Sequence, residues 1–216
     1  MIELDKLLYK GMKFGNLVEI TGKKGSGKTQ ISFSICAINS INNEKTLYID
    51  GSGNFRPERI KSMIDKHLNN NIDESNFYLK NIAYQRIYEL DDLIKLIKKI
   101  KILNFDIIIL DDIIPMFIYK FKYNTRLEVR SFIRELSLIT LSKKKMIVFT
   151  NTVIEKMDKE GKDVYLRELF FHDIIRYVHY KFYLQINQDN KQITECKLIY
   201  PYSINNSKTY INISNL

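Results

Sequence analysis

This sequence is short of the residues that build metal centres, disulfide frameworks and membrane spans. Its two cysteines, Cys36 and Cys196, lie far apart and without metal-ligand spacing, so they read as reduced thiols of a cytosolic protein. The three histidines, His67, His172 and His179, form no H-E-x-x-H or similar cluster and read as structural or surface residues. No stretch reaches the roughly 18 continuous apolar residues of a membrane span. The start, Met1-Ile2-Glu3-Leu4-Asp5, is acidic and unlike a signal peptide, so an intracellular protein is expected, cytoplasmic or, in a eukaryote, nuclear. There is also no internal repeat and no linker marking a second domain. Residues 1–216 are therefore expected to form one domain.

The rest of the composition is that of a globular chain. Hydrophobic residues make up 45% and charged residues 27% of 216 positions, enough for a substantial core. The formal net charge of +9 suits an anionic partner, nucleic acid or a membrane surface, although lysine-rich solvated faces give the same sum.

The most informative stretch is Gly22-Lys23-Lys24-Gly25-Ser26-Gly27-Lys28-Thr29, a complete G-x-x-x-x-G-K-T phosphate loop. It follows the apolar run Leu17-Val18-Glu19-Ile20-Thr21 and precedes an apolar helix with Ile31, Phe33, Ile35, Ala37 and Ile38. Glycines let the backbone turn sharply and bring successive N–H groups close to phosphate oxygens. Lys28 is placed to reach the β- and γ-phosphates and Thr29 to offer its hydroxyl to Mg²⁺, with the helix N-terminus adding positive potential. A chance Gly/Lys turn would lack the strand before and the helix after.

Beyond the loop, strands and helices alternate. Helices are expected over 4–8, 28–40, 57–68, 90–102 and 127–141, and strands over 46–50, 77–82, 105–112 and 146–150. Pro57 suits a first helical turn. Leu93, Ile94, Leu96, Ile97 and Ile100, with lysines between them, give helical periodicity. The run Ile107-Ile108-Ile109-Leu110 suits a parallel strand covered on both faces. The result is an α/β fold, a mostly parallel sheet flanked by helices. Residues 155–163 read as a charged loop, and 177–186, 193–200 and 208–213 as antiparallel strands added at one edge.

Asp111 closes the buried strand. Ligands of open parallel sheets gather at the carboxyl ends of strands, where a carboxylate can hold Mg²⁺ opposite Thr29. Asp111 and Asp112 cannot be equivalent ligands, because neighbouring strand residues point to opposite faces.

Several ordered motifs then resemble the ATPase core of RecA-like recombinases, in particular archaeal RadA and RadB, the eukaryotic strand-exchange recombinase and its paralogs. Glu3-Leu4-Asp5-Lys6-Leu7-Leu8 resembles that family's E-L-D-x-L-L, and Gly27-Lys28-Thr29-Gln30 its G-K-T-Q. Tyr48-Ile49-Asp50 with Gly53-Asn54-Phe55-Arg56-Pro57-Glu58-Arg59-Ile60 is similar to its Y-I-D-T-E-G-x-F-R-P-E-R. Asn81-Ile82-Ala83-Tyr84 resembles N-V-A-Y, Leu110-Asp111 the Walker B strand end, and Thr150-Asn151-Thr152-Val153 the motif T-N-Q-V. The resemblance implies a RecA-like P-loop core with antiparallel C-terminal edge strands, and ATP with Mg²⁺ as its cofactors. Gly22, Gly25, Ser26, Gly27, Lys28, Thr29 and Gln30 would bind nucleotide, Thr29 and Asp111 the metal, and Lys28 and Asp111 would serve catalysis.

The departures shape the expected function. Ser52 stands where active members carry the water-orienting glutamate, and Thr152 where they carry the γ-phosphate-sensing glutamine. A serine hydroxyl is a poor general base, so tight nucleotide binding with slow hydrolysis is expected. Glu58 is a possible substitute carboxylate, although the resemblance puts it on the following helix. The chain starts at the core, without the family's N-terminal helix-hairpin-helix domain or its docking segment, so it is not expected to build a filament alone.

The family's two DNA loops would fall at about 119–125 and 154–171. Lys120, Phe121, Lys122, Tyr123 and Arg126, with Arg130 beyond, mix cations and aromatics as single-strand binding surfaces do; a solvated basic face would look the same. In the second region Lys156, Lys159, Lys162 and Arg167 are offset by Glu155, Asp158, Glu160, Asp163, Glu168 and Asp173, which argues against strong phosphate binding. The resemblance therefore implies an ATP-binding accessory protein of homologous recombination, binding DNA, in single-stranded form, or a partner recombinase. The alternative is an active DNA-dependent ATPase performing strand exchange. A KaiC-type or helicase-type ATPase is disfavoured by the F-R-P-E-R segment.

Overall fold

The computed structural model describes residues 14–68, 72–120, 123–157, 164–201 and 208–212. The expected helix at 4–8 and the side chain of Lys122 lie outside them. The strands are β1 (Leu17–Gly22), β2 (Thr46–Asp50), β3 (Ile82–Arg86), β4 (Ile107–Asp111), β5 (Met146–Met157), β6 (Val164–Glu168), β7 (Tyr180–Ile186), β8 (Ile193–Tyr200) and β9 (Lys208–Asn212). The helices are α1 (Lys28–Ile41), α2 (Pro57–His67), α3 (Ile72–Leu79), α4 (Leu90–Ile100), α5 (Ile114–Lys120), α6 (Thr125–Lys143) and α7 (Phe171–Ile174).

The strands form one sheet in the order β3-β2-β4-β5-β1-β7-β8-β9, with β6 paired to the outer half of β5. All neighbours from β3 to β7 are parallel, and β8 and β9 add antiparallel. The run of aliphatic residues in β4 is explained by its burial on both faces. Ile107 and Ile109 enter one core with α1 and α2. Ile108 and Leu110 enter a second core with α4, α5 and α6. β5 divides in the same way, with Met146 and Val148 on the first side and Ile147 and Phe149 on the second. Each such side chain contributes roughly 1.5–3 kcal/mol on burial, and Ile109→Ala would cost about 2–5 kcal/mol through the cavity left. Among the described residues no helix is long and apolar enough to cross a membrane.

Four expectations are corrected. Residues 77–82 were expected to form a strand; α3 runs to Leu79 instead and the strand starts at Ile82, since Phe77 and Tyr78 carry strand propensity but sit on a helix packed against α1 and α2. α5 was not anticipated, because Asp112 (φ 57) and Pro115 break the pattern around it. The stretch after Glu155 is not a simple loop: β5 continues to Met157 and pairs with β6, Val153 opposite Glu168. Finally, of the three C-terminal strands expected to be antiparallel, β7 is parallel to β1, while β8 and β9 do add antiparallel.

Candidate nucleotide and nucleic-acid site

β1, β2 and β4 end at Gly22, Asp50 and Asp111, and Asn151, in the middle of β5, stands beside Thr21 near the end of β1. Gly22 ends β1 in close quarters: a Cβ there would lie 2.5 Å from Ser26 Oγ and 2.6 Å from the Leu184 carbonyl. Gly25 and Gly27 hold φ of 82° and 91°, the left-handed conformation that glycine adopts without cost. The loop therefore doubles back on itself and delivers the chain into α1. Lys28 Nζ reaches over it, donating to the carbonyls of Gly22 at 2.8 Å and Lys23 at 2.9 Å. Burial lowers the Lys28 pKa, while Asp112 and Asp111 oppose that shift. Ser26 is buried and its hydroxyl has no hydrogen-bond partner. Gln30 accepts from Arg59 Nε at 3.0 Å, tying α1 to α2.

Asp111 is 1% exposed and ringed by hydroxyls. Oδ2 accepts from Thr29 Oγ1 and from Tyr48 OH, both at 2.8 Å. Oδ1 accepts from Thr150 Oγ1 at 2.8 Å. Burial raises its pKa above the ordinary carboxylate value, against those three donors. A carboxylate and a threonine hydroxyl already in contact form a donor set suited to Mg²⁺, which keeps water and phosphate oxygens as its other ligands. Among the described residues no group of three or more His, Cys, Asp or Glu side chains gathers into a fuller metal cage.

Tyr48 and Thr150 were missed by sequence reasoning. Tyr48 sits two residues before Asp50 on the same strand face, and Thr150 two residues beyond Val148, so period-two spacing from recognised positions was the available signal.

The loop after β2 is organised by Asp50, which is fully buried. Its Oδ1 accepts from the N–H groups of Ser52 and Gly53 at 2.8 Å, and its Oδ2 from Phe55 N at 3.1 Å. Arg86 approaches at 3.4 Å. Burial alone would raise this carboxyl, but the N–H donors and Arg86 hold it below the usual value. Ser52 Oγ is 3.3 Å from the same Oδ1 and accepts from Asn54 Nδ2 at 2.8 Å. Thr152 stands opposite Gly22 in the β1–β5 register, its N–H on Asn151 Oδ1 at 2.8 Å.

Beneath the loop lies a buried ionic cluster that the sequence did not disclose. Lys181 Nζ is 2.6 Å from both Glu19 and Glu168, and Asn151 Nδ2 donates to Glu19 at 2.8 Å and to the Leu169 carbonyl at 2.9 Å. Burial raises the Glu19 pKa, opposed chiefly by Lys181. Removing Lys181 would strand two carboxylates in the interior, at a cost of about 3–5 kcal/mol.

The residues expected to meet DNA are dispersed over α5 and α6, and three of them carry ionic partners. Lys120 pairs with Asp91. Arg126 and Arg130 both hold Asp173, at 2.8 Å and 2.6 Å. Burial of Asp173 would raise its pKa, but the two guanidiniums keep it below the ordinary value. Tyr123 is 97% exposed.

The sequence model described as Rad51 matches residues 1–167. The DNA repair protein RAD51 homolog 1 of Arabidopsis thaliana is 29% identical over 171 residues, covering 72% of this chain and 49% of that protein. The DNA repair protein RAD51 homolog of Solanum lycopersicum has the same identity and coverage. The DNA repair protein rhp51 of Schizosaccharomyces pombe is 26% identical over 171 residues, covering 72% of this chain and 46% of that protein. The chain thus spans about half the length of the curated relatives it matches. With its family match extending over most of the chain and a mostly parallel sheet built around a phosphate loop, the chain belongs to the Rad51 family of RecA-like recombinases.

Proposed function

We propose that this chain binds ATP with Mg²⁺ and acts as an accessory protein of homologous recombination and DNA repair, contacting single-stranded DNA or a partner recombinase. ATP would lie along residues 22–30, with Lys28 leaving its two loop carbonyls for the β- and γ-phosphates. Mg²⁺ would be held by Thr29 and Asp111 and would offset the phosphate charge. Residues 1–216 would act as one ATPase core. Relatives named as DNA repair proteins support the process.

The observation that carries slow hydrolysis is the state of Ser52. Its hydroxyl is engaged with Asp50 and Asn54, and the carboxylate of Asp50 beside it is buried under backbone N–H groups. Neither Ser52 nor Asp50 is then free to orient a water, while positioning by Lys28 and the metal remains.

The test is ATP turnover with and without single-stranded DNA. A low rate that DNA scarcely stimulates is expected. Strong stimulation would favour the alternative, an active recombinase that hydrolyses ATP to drive strand exchange.

A further inference from the structure

A second carboxylate, Asp112, directly follows Asp111, and its backbone is unusual. Asp112 holds φ 57°, a conformation that costs a non-glycine residue free energy and that aspartate tolerates better than most. An extended strand would send side chains 111 and 112 to opposite faces; the left-handed turn breaks that alternation. Asp112 lies in the electrostatic field of Lys28. Burial lowers the Lys28 pKa, and of the two carboxylates that oppose the shift Asp112 acts more strongly than Asp111.

The turn is fixed by its neighbours. Asp112 N donates to Thr150 Oγ1 at 2.8 Å, and the same hydroxyl donates to Asp111 Oδ1 at 2.8 Å. Gly51 N donates to the Asp111 carbonyl at 2.8 Å, and a Cβ at Gly51 would lie 2.4 Å from the Asp112 carbonyl oxygen. The loop that carries Ser52 therefore runs directly against Asp112. The Asp112 side chain is half-buried, and among the described residues no hydrogen bond or salt bridge engages its carboxylate. The neighbouring carboxylates differ: Asp50 is held by backbone N–H groups and Asp111 by three hydroxyls. Glu58 stands on the exposed first turn of α2.

We propose that Asp112 orients the water that attacks ATP, supplying from the end of β4 the carboxylate that position 52 lacks. The inference rests on the ATP binding proposed above and gives its slow hydrolysis a residue. Lys28 is the residue placed to meet the β- and γ-phosphates, so a carboxylate in its field stands close to the reacting phosphorus. The water oxygen bonds to the γ-phosphorus as the bond from that phosphorus to the β–γ bridging oxygen breaks, and the bridging oxygen keeps the electron pair as ADP leaves. One water proton passes to the Asp112 carboxylate and on to solvent, and the other stays on inorganic phosphate.

The test compares the full chain with Asp112→Asn in three measurements: single-turnover ATP hydrolysis with Mg²⁺, binding of a non-hydrolysable ATP analogue with and without Mg²⁺, and binding of ADP with aluminium fluoride, a mimic of the phosphoryl group in flight. Asparagine accepts the same left-handed backbone, so the variant should keep the fold and lose only the charge. It is expected to hydrolyse ATP about 100-fold more slowly, the lower end of what a positioned acid–base group supplies. It should bind the analogue at least as tightly as the parent, with the Mg²⁺ effect intact, and lose about tenfold in affinity for ADP with aluminium fluoride. Asp112→Glu, which keeps the charge, should hydrolyse faster than the asparagine variant.

Hydrolysis by Asp112→Asn at the parent's rate would overturn the proposal. So would a lost Mg²⁺ effect in that variant, which would make Asp112 a metal ligand, or a parent that binds the analogue and hydrolyses no ATP. Failure of the parent to bind the analogue would instead refute the ATP-binding reading itself, and the role of Asp112 with it.

Discussion

Asp50 and Asp111 are the same residue type, opposite each other in the register of neighbouring parallel strands, yet their surroundings assign them opposite roles. Asp50 is closed off by three backbone N–H donors and Arg86, which hold its pKa low and make it the fastening of the loop at 51–55, with the Ser52 and Tyr84 hydroxyls at 3.3 and 3.4 Å. Among the described residues the side-chain donors to the Asp111 carboxylate are hydroxyls, and burial raises its pKa. Hydroxyls can rotate and accept as well as donate, so that group of partners can admit a cation. On the reading proposed above, Asp50 fastens its loop while Asp111 is the carboxylate left for a cation.

The contrast can be broken from the structural side first. Asp50→Asn removes the charge shared by the donors of Ser52, Gly53, Phe55, Tyr84 and Arg86, and we expect a loss of about 3 kcal/mol, read as a lower urea midpoint. An unchanged midpoint would mean that the Asp50 contacts contribute little.

Lys28→Ala probes the other side. The present partners of its ammonium are loop carbonyls, and burial disfavours its charge, so the fold should survive. Nucleotide affinity should fall by about 30-fold or more, the loss of a charge-assisted interaction of about 2 kcal/mol. Retained affinity would remove the phosphate loop from the account.

The smallest expected effect concerns pH. Burial holds His179 below its ordinary value of 6.5, and its Nδ1 accepts from Leu17 N at 2.9 Å. The unfolded chain takes up a proton that the native state resists, so it binds more protons and stability rises with pH. Stability should therefore decline as pH falls from about 7 towards 5, and His179→Gln should flatten that limb. Asp50 and Asp173, with depressed pKa values, add stability above their unfolded value of 3.8 that is lost only in stronger acid. Urea midpoints across the two windows would separate the contributions.

Much of this was legible in the chain. The phosphate loop, β1, β4 and β5 announce themselves by glycine spacing and by aliphatic runs whose alternate residues fill two cores. Asp111 follows from its place at a strand end. What could not be read depends on partners distant in sequence. Arg126 and Arg130 look like free cations until Asp173, more than 40 residues away, is brought beside them. Glu19 and Lys181, 162 positions apart, become a buried pair only when β1 and β7 lie side by side. The β5–β6 hairpin was hidden by its charge, because its outer half is too exposed to carry a buried strand's apolar pattern.

The central claim, that Asp111 is the carboxylate kept for the metal, is tested most directly by titrating a non-hydrolysable ATP analogue into the protein and into Asp111→Asn, each with and without Mg²⁺. Because its folded pKa is raised, ionised Asp111 costs stability at neutral pH, a contribution gained only below 3.8 and lost as pH rises through the native value. The variant should therefore fold at least as well as the parent. The account predicts that Mg²⁺ tightens binding by the parent about tenfold or more, one charged contact's worth, and has little effect on the variant. An equal Mg²⁺ effect on both proteins would contradict it.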